Sequence, residues 1–504
     1  MTKTKPFFLL CVGFVLCLAS FTCFGQYGDS GGGYGDNTGS GNTGGLEQQP
    51  ANLGDFKKEL LETPERQAAA QEAAEASTVA SAGGGIRINA RGDIQRVLTT
   101  DFTGRIAAKR LDVAARSSIA SLSPQLQMKR DISISLNRLE KAIIANNGVP
   151  NDEMRNLAGL LRPKYVYYYP DSQDIVISGP AEPWYCGAEG MNVGAMSLAP
   201  TCQLEDLVVA LRAYGANGKV TSIIGCSIDP TQEGLARMQE FLRGFGTVNT
   251  AGPIALRDGI INSLGYQTIR VDGISPKTHA ARIMVSADLR MKLIGFELEP
   301  SPVKITTFVS ASSTRSLGNS LIRWYFVPNY DVVLLTEDRL GMEIVGSGVK
   351  LVDEAEAVSI TGEREVKKGS VNRASRLYTA SFSRNYNEIA KHAPVYAQLR
   401  NFIDMLIIAA HIQKEEMYLK ADWKMEFFGN EKKFAVEKYN EPKTVAPIVN
   451  IVQKGNSYLA PTGGVQIEPT EALSPKRTKY EKKNEVTNAR RTATVELSEG
   501  QWWW

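Results

Sequence analysis

LEDLVVALRAY (204–214), KVTSIIGCSI (219–228), LARMQEFLRGF (235–245), PIALRDGIINSLG (253–265), YQTIRVDGI (266–274) and HAARIMVSADLRMKLIG (279–295) follow one another along the chain. The first recurs in apolar character at helical spacing. The second is a short apolar run rich in β-branched residues, and so a buried strand. Asp229-Pro230 and Ser275-Pro276 each place a capping side chain before a proline, the usual start of a helix. The resulting order of helix, strand, helix, helix, strand, helix predicts sheet and helix layers packed together, an α/β unit within a mixed α+β body.

Towards the N-terminus, YVYYYPDSQDIVISGP (165–180) reads as a hairpin turning at Pro170–Gln173. Its Tyr165, Tyr167 and Tyr169 share one face. Such a stripe suits packing under a helix better than stacking on sugars or bases. SLNRLEKAIIANNG (135–148) is an amphipathic helix capped by Ser135 and stopped at Asn147-Gly148, and a shorter helix, NDEMRNLAGLL, follows Pro150. IRINARGDIQRVL (86–98) predicts a second hairpin. Arg91-Gly92-Asp93 spells an adhesion tripeptide there, but Gly-Asp also simply makes the turn. Together, residues 86–300 form an α/β globular region.

Pro300-Ser301-Pro302 marks a boundary. Beyond it VKITTFVSA, LIRWYFVP, DVVLLTED and LGMEIVGSGVKLV predict a β-meander, TGEREVKKGS (361–370) a solvated loop, and 373–392 and 394–417 helices. Region 301–430 is thus a β-meander plus helices. Residues 431–504, rich in Pro, Gly and Lys, read as an extended or disordered basic tail, with seven basic residues between Lys476 and Arg491 and a Trp502-Trp503-Trp504 end. The three Trp suit docking on a partner or glycan surface.

The opening of the chain sets a compartment. Residues 1–25 carry Lys3 and Lys5 ahead of FFLLCVGFVLCLASF (7–21), and a small residue, Gly25, before Gln26; this predicts a signal peptide cut between those two. The apolar run is too short for a spanning helix, which needs about 20 residues, and Ser20-Phe21-Thr22 does not make Cys23 a lipidation site. Residues 26–54 are a Gly/Asn/Ser-rich spacer that lacks the apolar surface to fold. Residues 55–82 are an Ala/Glu-rich helix. Export leaves Cys186, Cys202 and Cys226. The simplest pairing joins Cys186 to Cys202 across a Gly-rich loop and leaves Cys226 as a buried thiol.

Composition excludes more than it assigns. The 504 residues carry 57 Lys plus Arg against 54 Asp plus Glu, and loss of Lys3 and Lys5 with the leader moves the net charge from +3 to +1. A nucleic-acid binder would show a larger basic excess. No P-loop, H-E-x-x-H or C-x-x-C occurs, Gly225-Cys226-Ser227-Ile228 is followed by Asp229 where a G-x-S-x-G would need Gly, and Gly39, Gly41 and Gly44 match G-x-G-x-x-G only through local glycine density. No cofactor is implied.

MRNLAGLL, YVYYYPDSQDIVISGPAEPW, DLVVALRA, GCSIDPTQEGLARMQEFL, LIRWYFVPNYD and HAPVYAQLRNFIDM, in this order over residues 86–430, resemble a planctomycete-type family of exported proteins containing a domain of unknown function. That resemblance implies export and a globular unit. It brings no activity, catalytic residue or cofactor.

Two constellations invite chemistry. Cys226, at a strand end before a helix N-terminus, resembles an activated thiol with His279 as base; the alternative is a small buried strand residue. Glu388 and His392, with His411 and Glu415, form two i,i+4 pairs suited to a helix-borne metal, with Asp404 on the same stripe. The step differs from the Glu-x-x-His of bundle metal sites, and salt bridges to Lys414 and Lys420 explain the same residues. The reading is therefore an exported structural or binding component whose partner is a protein or envelope polymer, against a secreted thiol or metal enzyme.

Overall fold

The computed structural model describes residues 85–97, 130–187, 191–245, 252–312, 320–358, 364–366, 373–447, 449, 462–493 and 497–504. The leader, its cut between Gly25 and Gln26, the spacer and the 55–82 helix lie outside them.

The fold is α+β. In the larger sheet the strand order is β1 (Gly85–Ile88), β2 (Asp93–Val97), β15 (Thr444–Val445), β9 (Gln267–Asp272), β8 (Ile224–Asp229), β16 (Thr462–Ile467), β10 (Ser320–Asn329), β13 (Gly348–Val358) and β14 (Arg364–Val366). Neighbours pair antiparallel except β2 with β15 and β10 with β16, which are parallel. The second sheet runs β17 (Thr478–Tyr480), β11 (Val332–Leu335), β12 (Gly341–Val345), β4 (Tyr165–Tyr169), β5 (Asp174–Ala181) and β3 (Arg130–Ser135). A small hairpin joins β6 (Trp184–Cys186) and β7 (Asn192–Gly194).

The longer helices are α1 (Leu136–Ala145), α2 (Leu204–Ala213), α3 (Gln232–Phe245), α4 (Gly252–Leu264), α5 (His279–Gly295), α6 (Arg373–Arg384), α7 (Tyr386–His392), α8 (Pro394–Lys414) and α9 (Glu485–Thr492). α5 lies on β8 and β16, and α8 packs against α2 and α5. Both are buried along most of their length, as helices enclosed within a protein are. Trp324 anchors the centre, touching Phe296, Phe308 and Tyr378 and donating from Nε1 to Ser375 Oγ at 2.7 Å.

Local expectations hold in several places. Ser135 caps α1 by accepting from Arg138 N–H, and Asn147 and Gly148 take positive φ at its end. β4 and β5 pair as the expected hairpin, and β1 and β2 pair around Asn89–Gly92. The tyrosine stripe lies under α9, with Tyr167 buried beside Val176 and Val486. The Asp93 carboxylate accepts from Asn89 and Thr444, so the Arg-Gly-Asp turn is built into the sheet.

Other expectations are corrected. The caps of α3 and α5 are Thr231 and Thr278, whose hydroxyls accept from Gly234 and Ala281 N–H. Asp229 ends β8, and Ser275 lies in the preceding turn. VKITTFVSA forms no strand; Thr307 and Ser310 make a capping box that turns Phe308–Ala311 into a helix. The meander is divided between sheets, with β10 and β13 in one and β11 and β12 in the other. Arg364–Val366, expected in a loop, pairs with β13.

The largest correction concerns 431–504. β16 lies between β8 and β10 near the middle of the larger sheet, and β17 edges the smaller one. The Trp end does not project: Ser133 and Ser135 N–H donate to Trp504 O and Trp502 O, and Trp504 N–H donates to Ser133 O. These residues cover the free edge of β3, where unpaired backbone groups would otherwise remain. Pro300–Pro302 separates no bodies either, since one contiguous core runs from Ile88 to Trp502.

Candidate functional site

A cavity of about 460 Å3 lies where the N-termini of α2, α5 and α8 meet the segments 148–156 and 433–439. Its size is at the lower end for small-molecule sites. α5 turns one stripe towards it: His279, Arg282, Ile283, Ser286 and Arg290 recur at helical spacing. α2 brings Glu205 to the wall, with Asp206 behind it; Tyr439 closes the space from the C-terminal side.

These groups are bonded to one another. His279 Nδ1 is 2.9 Å from Asp206 Oδ2 and 4.0 Å from Glu205 Oε1. Tyr439 OH donates to Glu205 Oε1 at 2.8 Å, and the Arg282 guanidinium stacks 4.4 Å from the Tyr439 ring centre. Burial opposes charge on His279, but Asp206 beside it and Glu205 near it outweigh burial and raise its pKa to about 9. The ring is an imidazolium at neutral pH. Burial raises Glu205 to about 7, with Asp206 adding to the rise and His279 opposing it. Glu205 Oε2 and Asp206 Oδ1 meet no hydrogen-bond donor among the described residues and are shut off from bulk water. Such oxygens carry a cost until a proton or donor reaches them.

Opposite this cluster, Asn156 Oδ1 accepts from Asn192 Nδ2, Thr201 Oγ1 and Gln203 Nε2 at 2.8, 2.9 and 3.2 Å. This web joins β7 to the start of α2 and fixes the amide side of the wall.

The expected thiol site does not assemble. Cys226 is buried in β8, and burial, with Asp288 nearby, pushes its thiol well up from the ordinary value. Asp288 is nine residues along α5 from His279, about 13 Å at 1.5 Å per residue. His279 instead serves the Asp206 cluster.

The metal candidates also lie apart, and among the described residues no group of three or more His, Cys, Asp or Glu could hold a metal ion. Glu388 pairs with Lys391 at 2.6 Å on the surface, Glu415 with Arg339 at 2.6 Å, and Asp404 with Arg162 at 2.7 Å. His411 is buried, and burial with Lys414, Arg339 and Lys420 nearby drives its pKa down to about 3. A basic environment of that kind repels a cation.

Cys186 and Cys202 are unbridged in the structure. Cys186 pairs with Asn192, whose carbonyl accepts from Thr201 N–H, so β7 stands between the two cysteines.

With the geometry in place, comparison with known proteins adds one match. Residues 226–308 match the family described as a protein of unknown function, DUF1598. No curated protein and no solved structure matches the chain. The DUF1598 stretch runs from Cys226 past α5 and so contributes His279, Arg282 and Arg290 to the cavity. Glu205, Asp206 and Tyr439 lie outside it. The resemblance noted from sequence is met at this coarse level, a domain of unknown function.

Glu205, Asp206 and Tyr439 escaped the sequence reading. Two acids in the first turn of LEDLVVALRAY read as ordinary partners of the helix dipole. Asp206 shares the helix with Leu207, Val208 and Leu211 and is buried with them, a placement that only a partner makes tolerable. Tyr439 fell in a segment expected to be extended.

Proposed function

We propose that this chain is an exported binding protein that holds a small polar ligand in the cavity between α2, α5 and α8, as a component of the cell envelope or extracellular space. The observation that carries the reading is the cavity wall itself. Glu205, His279, Tyr439 and Arg282, drawn from three distant parts of the sequence, are held in one bonded cluster beside the cavity.

Binding is favoured over thiol or metal chemistry because Cys226 is sealed in the core and the Glu388, His392, His411 and Glu415 set is tied up in separate contacts or scattered. Export rests on the leader pattern of residues 1–25. Among the described residues no helix is long and apolar enough to cross a membrane.

The test uses the protein purified from its own cells. Its N-terminus is expected at Gln26 and its location in the envelope or medium. Unfolding and refolding in ligand-free buffer should lower its thermal midpoint by several degrees, because a lost ligand removes its binding free energy from the folded state. A cytosolic product beginning at Met1 rejects export. An unchanged midpoint rejects a resident ligand.

A further inference from the structure

We infer that the ligand of this cavity is a neutral sugar, recognised through its hydroxyl groups. This rests on the binding reading above and specifies its chemistry.

The first support is charge balance. Three basic groups of the wall already have acid partners within the protein: His279 with Asp206, Arg290 with Glu299 at 2.6 Å, and Lys433 with Glu426 at 3.8 Å. Of the other charged residues of the wall, Asp152, Glu205 and Glu437 are acids and Arg155 and Arg282 are bases. An anionic ligand would lose its hydration on entry and find no surplus positive charge.

The second support is the type of group presented. Carboxyl, amide, guanidinium and phenol groups line the space, at Glu205, Asn156, Asn192, Gln203, Gln398, Arg282 and Tyr439. Carboxylates and amide oxygens accept from hydroxyls, while amide N–H and guanidinium groups donate to them, so adjacent hydroxyls on a ring meet both. The third is the unmet acceptor on Glu205, a residue of the wall. A ligand hydroxyl supplies the missing donor after a small side-chain movement. A phosphate or carboxylate ligand does not.

The experiment is calorimetric titration of the full exported chain, freed of resident ligand by refolding, at pH 7.5. The probes are glucose, galactose, N-acetylglucosamine and their β-linked disaccharides, set against glucuronate, glucose 6-phosphate, glycine and glutamate. At least one neutral sugar is expected to bind, at least tenfold more tightly than its acidic counterpart. Glu205→Gln, which replaces an acceptor by a donor, is expected to weaken that sugar tenfold or more, and Tyr439→Phe to weaken it less. A hexasaccharide of the best binder distinguishes the sources. Retained affinity identifies a polysaccharide end and lost affinity a free sugar, either within the proposal.

Binding of the acidic probes or amino acids in preference to every neutral sugar overturns the inference. So does a sugar affinity unchanged in both variants, or no heat with any sugar. In that last case a midpoint that still falls on refolding leaves the binding reading standing, whereas an unchanged midpoint removes both.

Discussion

Replacing Asp206 by Asn tests the charged heart of the cavity. In the wild type the His279 imidazolium is held by Asp206 at 2.9 Å, raising its pKa from 6.5 to about 9. At about 1.4 kcal/mol per tenfold change in proton affinity, this corresponds to about 3 kcal/mol. Glu205 takes up a proton over part of the same range, which trims the realised figure towards about 2 kcal/mol. The sign follows from linkage. The folded state binds the His279 proton more tightly than the unfolded chain, so the stabilisation is complete below pH 6.5 and lost as pH rises through 9. Glu205, raised to about 7, adds a loss of the same sign between about 4.5 and 7. Urea unfolding of wild type and Asp206→Asn should therefore differ by about 2–3 kcal/mol at pH 6 and by much less at pH 10, with the His279 ring titrating near 9 by NMR in the wild type only. An equal difference at both pH values, or a wild-type midpoint below 7, refutes the argument.

Four further outcomes follow from the packing. An alanine Cβ at Gly225 would lie 2.3 Å from Val465 O on β16, so Gly225→Ala should cost about 1–3 kcal/mol in urea unfolding, or more. Lys292 and Asp288 form a fully buried pair on α5 at 2.6 Å; Lys292→Ala should cost about 3–5 kcal/mol by stranding Asp288, and Lys292→Met with Asp288→Leu should recover most of it. The Glu140 carboxylate accepts from Trp423 Nε1 and from Phe427 and Phe428 N–H, so Glu140→Ala should lower stability by about 3 kcal/mol or more, with altered Trp fluorescence. Deleting Trp502–Trp504 uncovers β3, and should speed amide exchange at Ser133 and Ser135 and promote aggregation, read by mass-resolved exchange and light scattering.

Structure was legible in the sequence where local chemistry settled it. Ser135 with Asn147-Gly148 delimits a helix, and Pro170–Gln173 a hairpin, because caps and turns act over a few residues. β16 was invisible for the opposite reason. TGGVQI carries two glycines and little apolar surface, and it is a strand because β8 and β10 offer it backbone partners from both sides. VKITTFVSA misled because its alternation outweighed Thr307 and Ser310, whose paired caps begin a helical turn.

The site was half legible. His279 stood out as one of three histidines, at the head of a helix, but its partner was sought in Cys226 on the neighbouring strand. Asp206 and Glu205 come from an earlier helix and Tyr439 from a far later loop, and only tertiary packing brings them to the same ring. The i,i+4 Glu/His pairs were legible as spacing yet empty as chemistry, because spacing on one helix says nothing about which lysines and arginines the next element brings.

The central claim is that the cavity holds a small ligand. Native mass spectrometry of protein purified from its own cells, wild type beside Ile283→Trp, tests it most directly, since an indole at 283, one turn along α5 from His279, takes up space in the cavity. The wild type should carry an added mass of a few hundred daltons that is absent from the variant. The same spectrum from both proteins, with or without an added mass, would contradict the account.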